Sequence, residues 1–284
     1  MTGPNIMVSG AVFADELIVE NLTDYISVVP RQNAKDRSPL DDAVYRVARL
    51  FRAIKGALNE LDDYYVKVVA GIRSVSTAPG RARAGSHYIG PHFTSYRDRT
   101  SKQSFTLTYT QRLVPHYSDK ALFVAEAKEA PDSPAELVVV KFAYKYNEAA
   151  HAALAASSLA PKLRYCSFEP SMGLYVVVMD YVEGGELWDR RKASPARVDS
   201  LRSAVKMLHE NGLVFGDLRR PNVLVVGDRV VLVDFDWCGK AGEARYPSDI
   251  APNNGEWHPD VRRGGLITRE HDNFHFHLLT GTQL

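Results

Sequence analysis

The sequence predicts an α+β protein in two lobes. Three observations carry this: β-rich runs crowd the stretch from Ser104 to Phe142, helices come later, and a tight Gly-Asp hairpin follows them. FTLTYTQRL, ALFVAEA and ELVVVKF are rich in β-branched and aromatic residues and are separated by the turn-like segments HYSDK and APDSPA. Three sequential strands of this kind predict an antiparallel meander.

The elements follow in chain order. The first stretch, as far as RQNAKDRS, mixes a short apolar run with polar residues and yields no clear element. A helix is expected from Ser38, which can cap it, with Pro39 in the first turn and Asp41 and Asp42 opposing the positive end of the dipole. Val44, Val47, Ala48, Phe51, Ile54, Leu58 and Leu61 recur at three- and four-residue steps, so the expectation is a packing helix with one buried face. STAPGRARAGS reads as a solvated loop. After the meander, NEAAHAALAASS reads as a helix and YVVVMDYV as a buried strand, which Gly184 and Gly185 end. SPARVDSLRSAVKMLHENG has Ser194 and Pro195 at its start and Gly212 past its end, a capped helix. NVLVV-GD-RVVLVDFD reads as the hairpin.

Composition narrows the function classes. With 35 basic against 34 acidic side chains, no bulk field recruits nucleic acid or anionic lipid. Two cysteines, Cys166 and Cys238, are too few for a disulfide scaffold or a thiolate zinc site and fit a reducing compartment. The N-terminus does not read as a signal peptide, and no window approaches the roughly 18 apolar residues of a membrane span. A soluble, intracellular, cytoplasmic protein is the expectation.

Phosphoryl transfer needs a cation on the phosphates, magnesium ligands, a carboxylate for the nucleophile and a slot for the nucleotide base. FGDLRRPNVLV places Asp217 five residues before Asn222, and Asp234 ends the second strand of the hairpin. A hairpin returns its end beside its start, so these three residues can converge on one volume. Their hard oxygens suit Mg²⁺, which takes one or two carboxylates plus phosphate oxygens and water.

DLRRPN followed by DFD resembles the catalytic loop and metal-binding motif of protein-kinase-like phosphotransferases. VVVKFA, MDYVEGGE, VFGDLRRPN and VDFDW resemble most closely a group of small fungal protein-kinase-like domain proteins, over roughly Ser104 to Leu284. The resemblance implies a two-lobed protein-kinase-like fold with a truncated C-terminal lobe. It divides the chain into a region of residues 1–85 with one amphipathic helix, an N-lobe and hinge of residues 86–182, and a short C-lobe of residues 183–284. It makes Asp217 the catalytic base, Arg219 a contact for the transferred phosphate, and Asn222 and Asp234 the Mg²⁺ ligands. Lys141 would meet the α- and β-phosphates of ATP, with Glu148 as its ion-pair partner. Met179, the Asp180 carbonyl and the Val182 amide would line the adenine slot, and Glu186 and Asp189 would lie near the ribose. His151 is expected to be a packed histidine. Asp272 would take the anchoring position of a shortened helix in the large lobe, and the apolar residues Phe274, Phe276, Leu278 and Leu279 there are expected to be covered by the N-terminal helix.

The sequence departs from protein kinases at several points. The turn RLVPHYSDKA has no glycine, H-R-D is replaced by Phe215-Gly216-Asp217, D-F-G by Asp234-Phe235-Asp236, and no A-P-E follows. Gly216 and Asp236 are reminiscent of aminoglycoside and choline phosphotransferases. Three readings therefore compete: an ATP-dependent kinase of protein Ser/Thr, a small-molecule phosphotransferase, and a pseudokinase binding module. His271, His275 and His277 are expected to pack rather than bind metal, because no H-E-x-x-H accompanies them.

Overall fold

The computed structural model describes residues 5–13, 17–30, 39–72, 91–113, 121–170, 172–252 and 256–284. Ser38, the STAPGRARAGS segment and the turn at residues 114–120 lie outside the described residues. The chain opens with β1 (Asn5–Ile6), β2 (Ser9–Phe13), β3 (Leu17–Asn21) and β4 (Ile26–Ser27); β1 pairs with β4 and β2 with β3. The Ser27 N–H donates to the Met172 carbonyl (2.8 Å), tying this region to the main body. Helix α1 (Pro39–Ile72) follows.

The meander forms as its pattern requires. Strands β5 (Ser95–Arg97), β6 (Ser104–Arg112), β7 (Ala121–Lys128) and β8 (Glu136–Ala143) precede α2 (Glu148–Ala156), β9 (Leu163–Glu169) and β10 (Leu174–Asp180). They make one antiparallel sheet in the order β5-β6-β7-β8-β10-β9. In β6, Phe105, Leu107 and Tyr109 are buried and alternate with exposed Ser104, Thr106 and Thr108, the period-two signature of a half-buried strand. They join Phe123, Val138, Val140, Phe142, Val176 and Val178 in one core.

A second core lies beyond the hinge. Its elements are β11 (Glu186–Leu187), α3 (Pro195–Glu210), β12 (Leu213–Val214), β13 (Val223–Val226), β14 (Arg229–Leu232), β15 (Gly239–Lys240) and α4 (Arg269–Thr280). Ser194 caps α3 by accepting the Arg197 N–H, and Pro195 occupies its first turn. Trp188, Leu201, Leu208, Phe215, Leu218, Leu232, Phe235 and Phe276 pack together beneath β13 and β14, and Leu154 of α2 reaches the same core.

Two expectations about helices need correction. Helix α1 does touch the body, through Ala43 and Leu50 and through Arg46, whose Nε donates to the Ser27 carbonyl. However, the apolar stripe expected to be its buried face is mostly exposed, including Val44, Phe51, Leu58 and Leu61. Nor does α1 cover α4. Phe276 and Leu279 are buried against Trp188, Leu201 and Phe215, Phe274 is half-buried, and Leu278 is exposed. The reason is geometric: α3 lies beside α4 and supplies the cover locally.

Candidate active site

The hairpin of β13 and β14 builds the floor of the site. Val223 stands opposite Leu232, and just past that pair the Val233 N–H donates to the Asn222 carbonyl (3.0 Å). This bond sets the residue before Asp234 against the catalytic-loop candidate Asn222. Asn222 itself is buried, and its Nδ2 donates to the Asp217 carbonyl (2.9 Å), closing the DLRRPN loop on itself. Asp217, Asn222 and Asp234 are thereby held by one short stretch of backbone.

The loop is clamped from below. Asp272 of α4 is fully buried and accepts the backbone N–H groups of Phe215 and Gly216 (both 2.8 Å) and Nε2 of His209 (3.0 Å). A buried carboxylate with three donors makes charge-assisted bonds that fix the entry to Asp217. Gly216 has φ +80°, and a Cβ there would stand 2.8 Å from the Ile267 side chain. Both the left-handed backbone and the close approach require glycine. That accounts for the residue standing where protein kinases have arginine.

Lys141 enters from the first sheet. It lies on β8 opposite Val177 and is buried, with Nζ 2.6 Å from Asp234 Oδ1 and 2.6 Å from Asp236 Oδ1. Burial opposes its charge, but the two carboxylates outweigh burial and raise its pKa. Asp234 has φ +72°, a left-handed conformation uncommon outside glycine, and the chain turns there so that carboxylates two residues apart meet one ammonium. Burial, followed by the charge of Asp234, pushes the Asp236 carboxyl up to about 6 against the pull of Lys141.

Glu148 has a different partner from the one expected. It pairs with Arg99 (3.2 Å) and its side chain is about half exposed. The connection from β8 is short, and α2 buries Ala150, His151 and Leu154; Glu148 is not among them. The N-cap of α2, Asn147, is tied to the D-F-D segment instead. Its N–H donates to the Phe235 carbonyl (3.2 Å) and its Nδ2 to the Cys238 carbonyl (3.3 Å). His151 stacks on Phe235 (4.8 Å between centroids, 6° between planes), and Phe235 meets Phe215 edge-on at 5.5 Å. Its Nε2 must donate to the Pro161 carbonyl (2.7 Å), so Nδ1 accepts the Tyr146 hydroxyl (2.7 Å).

Arg219 grips the candidate base. Its guanidinium forks onto the Asp217 carboxylate and lies over the rings of Trp257 (4.7 Å) and Trp237 (5.7 Å). Nothing in the sequence pattern marks either tryptophan as a partner of Arg219. Met179 is buried with Leu163 and Val177 at the end of β10. The Asp180 N–H is held by the Lys162 carbonyl (3.0 Å) and its carboxylate by Arg164, while the Val182 carbonyl accepts the Gly185 N–H (3.3 Å). Asp189 caps a short helical turn through the Arg191 N–H, and Glu186 is exposed on β11. His271 accepts the Tyr246 hydroxyl at Nδ1, His275 meets the Glu256 carbonyl, and His277 is exposed.

The donor set fits Mg²⁺. Asp234 and Asp236 bring two carboxylates to one ammonium in a largely buried place. Asn222 uses its amide nitrogen on Asp217, so its side-chain oxygen is the atom left to ligate. Among the described residues no cluster of three His, Cys, Asp or Glu side chains could hold a metal by itself.

Residues 163–249, from β9 through the segment after D-F-D, match the family model described as "Lipopolysaccharide core biosynthesis protein (WaaY)". The lipopolysaccharide core heptose(II) kinase WaaY of Escherichia coli (strain K12) is 28% identical over 71 residues, which is 25% of this chain. The match spans 30% of that protein's length. The structure of the Cydia pomonella granulovirus kinase PK-1 aligns at 18% identity with a TM-score of 0.46, over 61% of this chain and 68% of that chain. An antiparallel sheet delivers Lys141, a hinge crosses to a helical half, and a clamped loop and hairpin return Asp217, Asn222 and Asp234 to that lysine: the chain has a protein-kinase-like fold.

Proposed function

We propose that this protein is an ATP-dependent phosphotransferase. The observation that carries the reading is the joining of Lys141 from β8 to Asp234 and Asp236 from the hairpin, 93 and 95 residues away in sequence. In this reading Lys141 meets the α- and β-phosphates of ATP, and Met179, Asp180 and Val182 face the adenine. Asn222 and Asp234 hold Mg²⁺, with Asp236 keeping Lys141 in place. When bound, the ion offsets the charge of the triphosphate.

Asp217 orients the acceptor hydroxyl and takes its proton. The acceptor oxygen bonds to the γ-phosphorus, the bond to the bridging oxygen breaks, and ADP leaves. In this reading Arg219, which grips Asp217, also meets the transferred phosphate.

A protein Ser/Thr hydroxyl is the acceptor that the Lys141 strand and DLRRPN loop favour. A small-molecule hydroxyl, such as one on a sugar, is the second reading, favoured by the family match across residues 163–249. Incubation with Mg²⁺ and γ-labelled ATP against a protein extract and a panel of sugars and amino alcohols separates them by where label appears. Asp217→Asn keeps ATP binding and cuts transfer about 10²–10⁴-fold, the usual worth of a positioned base. Full activity in that variant would assign Asp217 a structural role.

A further inference from the structure

Helix α1 is 34 residues long, about 51 Å at the usual rise. Among its described side chains the buried ones, Ala43 and Leu50, lie in the N-terminal half, whereas every residue from Lys55 to Lys67 is exposed. That free half carries Leu58, Leu61, Tyr64, Tyr65 and Val66, each between 47% and 66% exposed. A helical segment with so much bare apolar surface gains little by standing alone in water.

The spacing of its apolar residues shows what it is built to meet. Leu40, Val44, Val47, Phe51, Ile54, Leu58, Leu61, Tyr65 and Val68 follow one another at steps of four and three in unbroken alternation. This is the seam of a coiled coil, narrower and straighter than the face by which a helix packs on a globular core. Charge along the helix is segregated as well. Beyond Asp41 and Asp42 of the first turn, the charges of the first half are Arg46, Arg49, Arg52 and Lys55, whereas the second half carries Glu60, Asp62 and Asp63 against Lys67.

We propose that α1 dimerises this protein, two copies pairing their α1 helices antiparallel along this seam. Setting Leu58 against the partner's Leu61 places Ile54 against the partner's Tyr65. Lys55 and Asp62 flank the seam in successive heptads. In this register Lys55 faces the partner's Asp62, and symmetry repeats the pair, giving two such ion pairs per dimer. The antiparallel sense lays the basic half of each helix along the acidic half of the other and opposes the helix dipoles. A parallel pairing would set like halves side by side. The two kinase-like bodies come to lie at opposite ends, so each free C-terminal half is covered by its partner's N-terminal half.

Sedimentation equilibrium of the full chain tests this, using charge reversals at two exposed positions that leave the fold untouched. The native protein is expected to be a dimer. Lys55→Asp and Asp62→Lys each turn both flanking pairs repulsive and should weaken dimerisation more than tenfold, and the double variant should restore it. A parallel coil would not show that rescue, because these two positions do not face each other there. A monomer at all concentrations, or a dimer indifferent to the single reversals, would overturn the proposal.

Discussion

Two carboxylates meet one ammonium at the centre of this molecule, and that determines how Lys141 is held. Asp236 is buried against Nζ, whereas Glu148 is engaged with Arg99 at the surface. In the proposed reading, the positioning task usually given to a helix glutamate falls to Asp236, the third residue of the D-F-D motif. Asp236→Asn is expected to lower kcat/KM at least tenfold, while Glu148→Gln stays within about twofold, since exposed ion pairs contribute little. Steady-state kinetics with varied ATP decides; the opposite ranking would return the role to Glu148. The convergence of Asp217, Asn222 and Asp234 was legible from residue type and spacing, and Lys141 from the resemblance of its strand to the lysine strand of protein kinases. The role of Asp236 was not, because it depends on the left-handed backbone at Asp234, which no apolar pattern records. Trp237 and Trp257 escaped for a similar reason: only the folded chain brings them under Arg219.

At the scale of elements, α2 is joined to the D-F-D segment by the Asn147 cap and by the stack of His151 on Phe235. Burial lowers the His151 pKa to about 4, against an ordinary value of 6.5. The neutral form is the one the fold accommodates, so its contribution is complete above pH 6.5 and is lost as pH falls through 4. A shift of that size corresponds to about 3 kcal/mol. His151→Phe keeps the stack and removes the titration, so thermal melts from pH 7.5 to 4 should show a shallower acid loss than the native chain. Parallel acid slopes would place the sensitivity elsewhere. The meander, α3 and the hairpin were legible because their periods and caps are strong. Strand β5 has only three residues, and β9 shows no alternation of burial, so neither left a readable period. The apolar stripe of α1 was legible as a helix face, but an amphipathic pattern does not say whether the cover comes from the same chain.

For the whole molecule, the fold brings three remote segments to one place. The sheet supplies Lys141, the loop clamped by Asp272 supplies Asp217 and Asn222, and the hairpin end supplies Asp234 and Asp236. In the proposed reading a triphosphate there would carry more negative charge than one lysine can offset, so nucleotide and metal are expected to bind together. Calorimetric titration of ATP into the full chain, with and without Mg²⁺, tests this most directly. Binding is expected to need Mg²⁺, to be lost in Asp234→Ala and in Lys141→Ala, and to persist in Asp217→Asn. Unchanged ATP affinity in Asp234→Ala with Mg²⁺ present would contradict it.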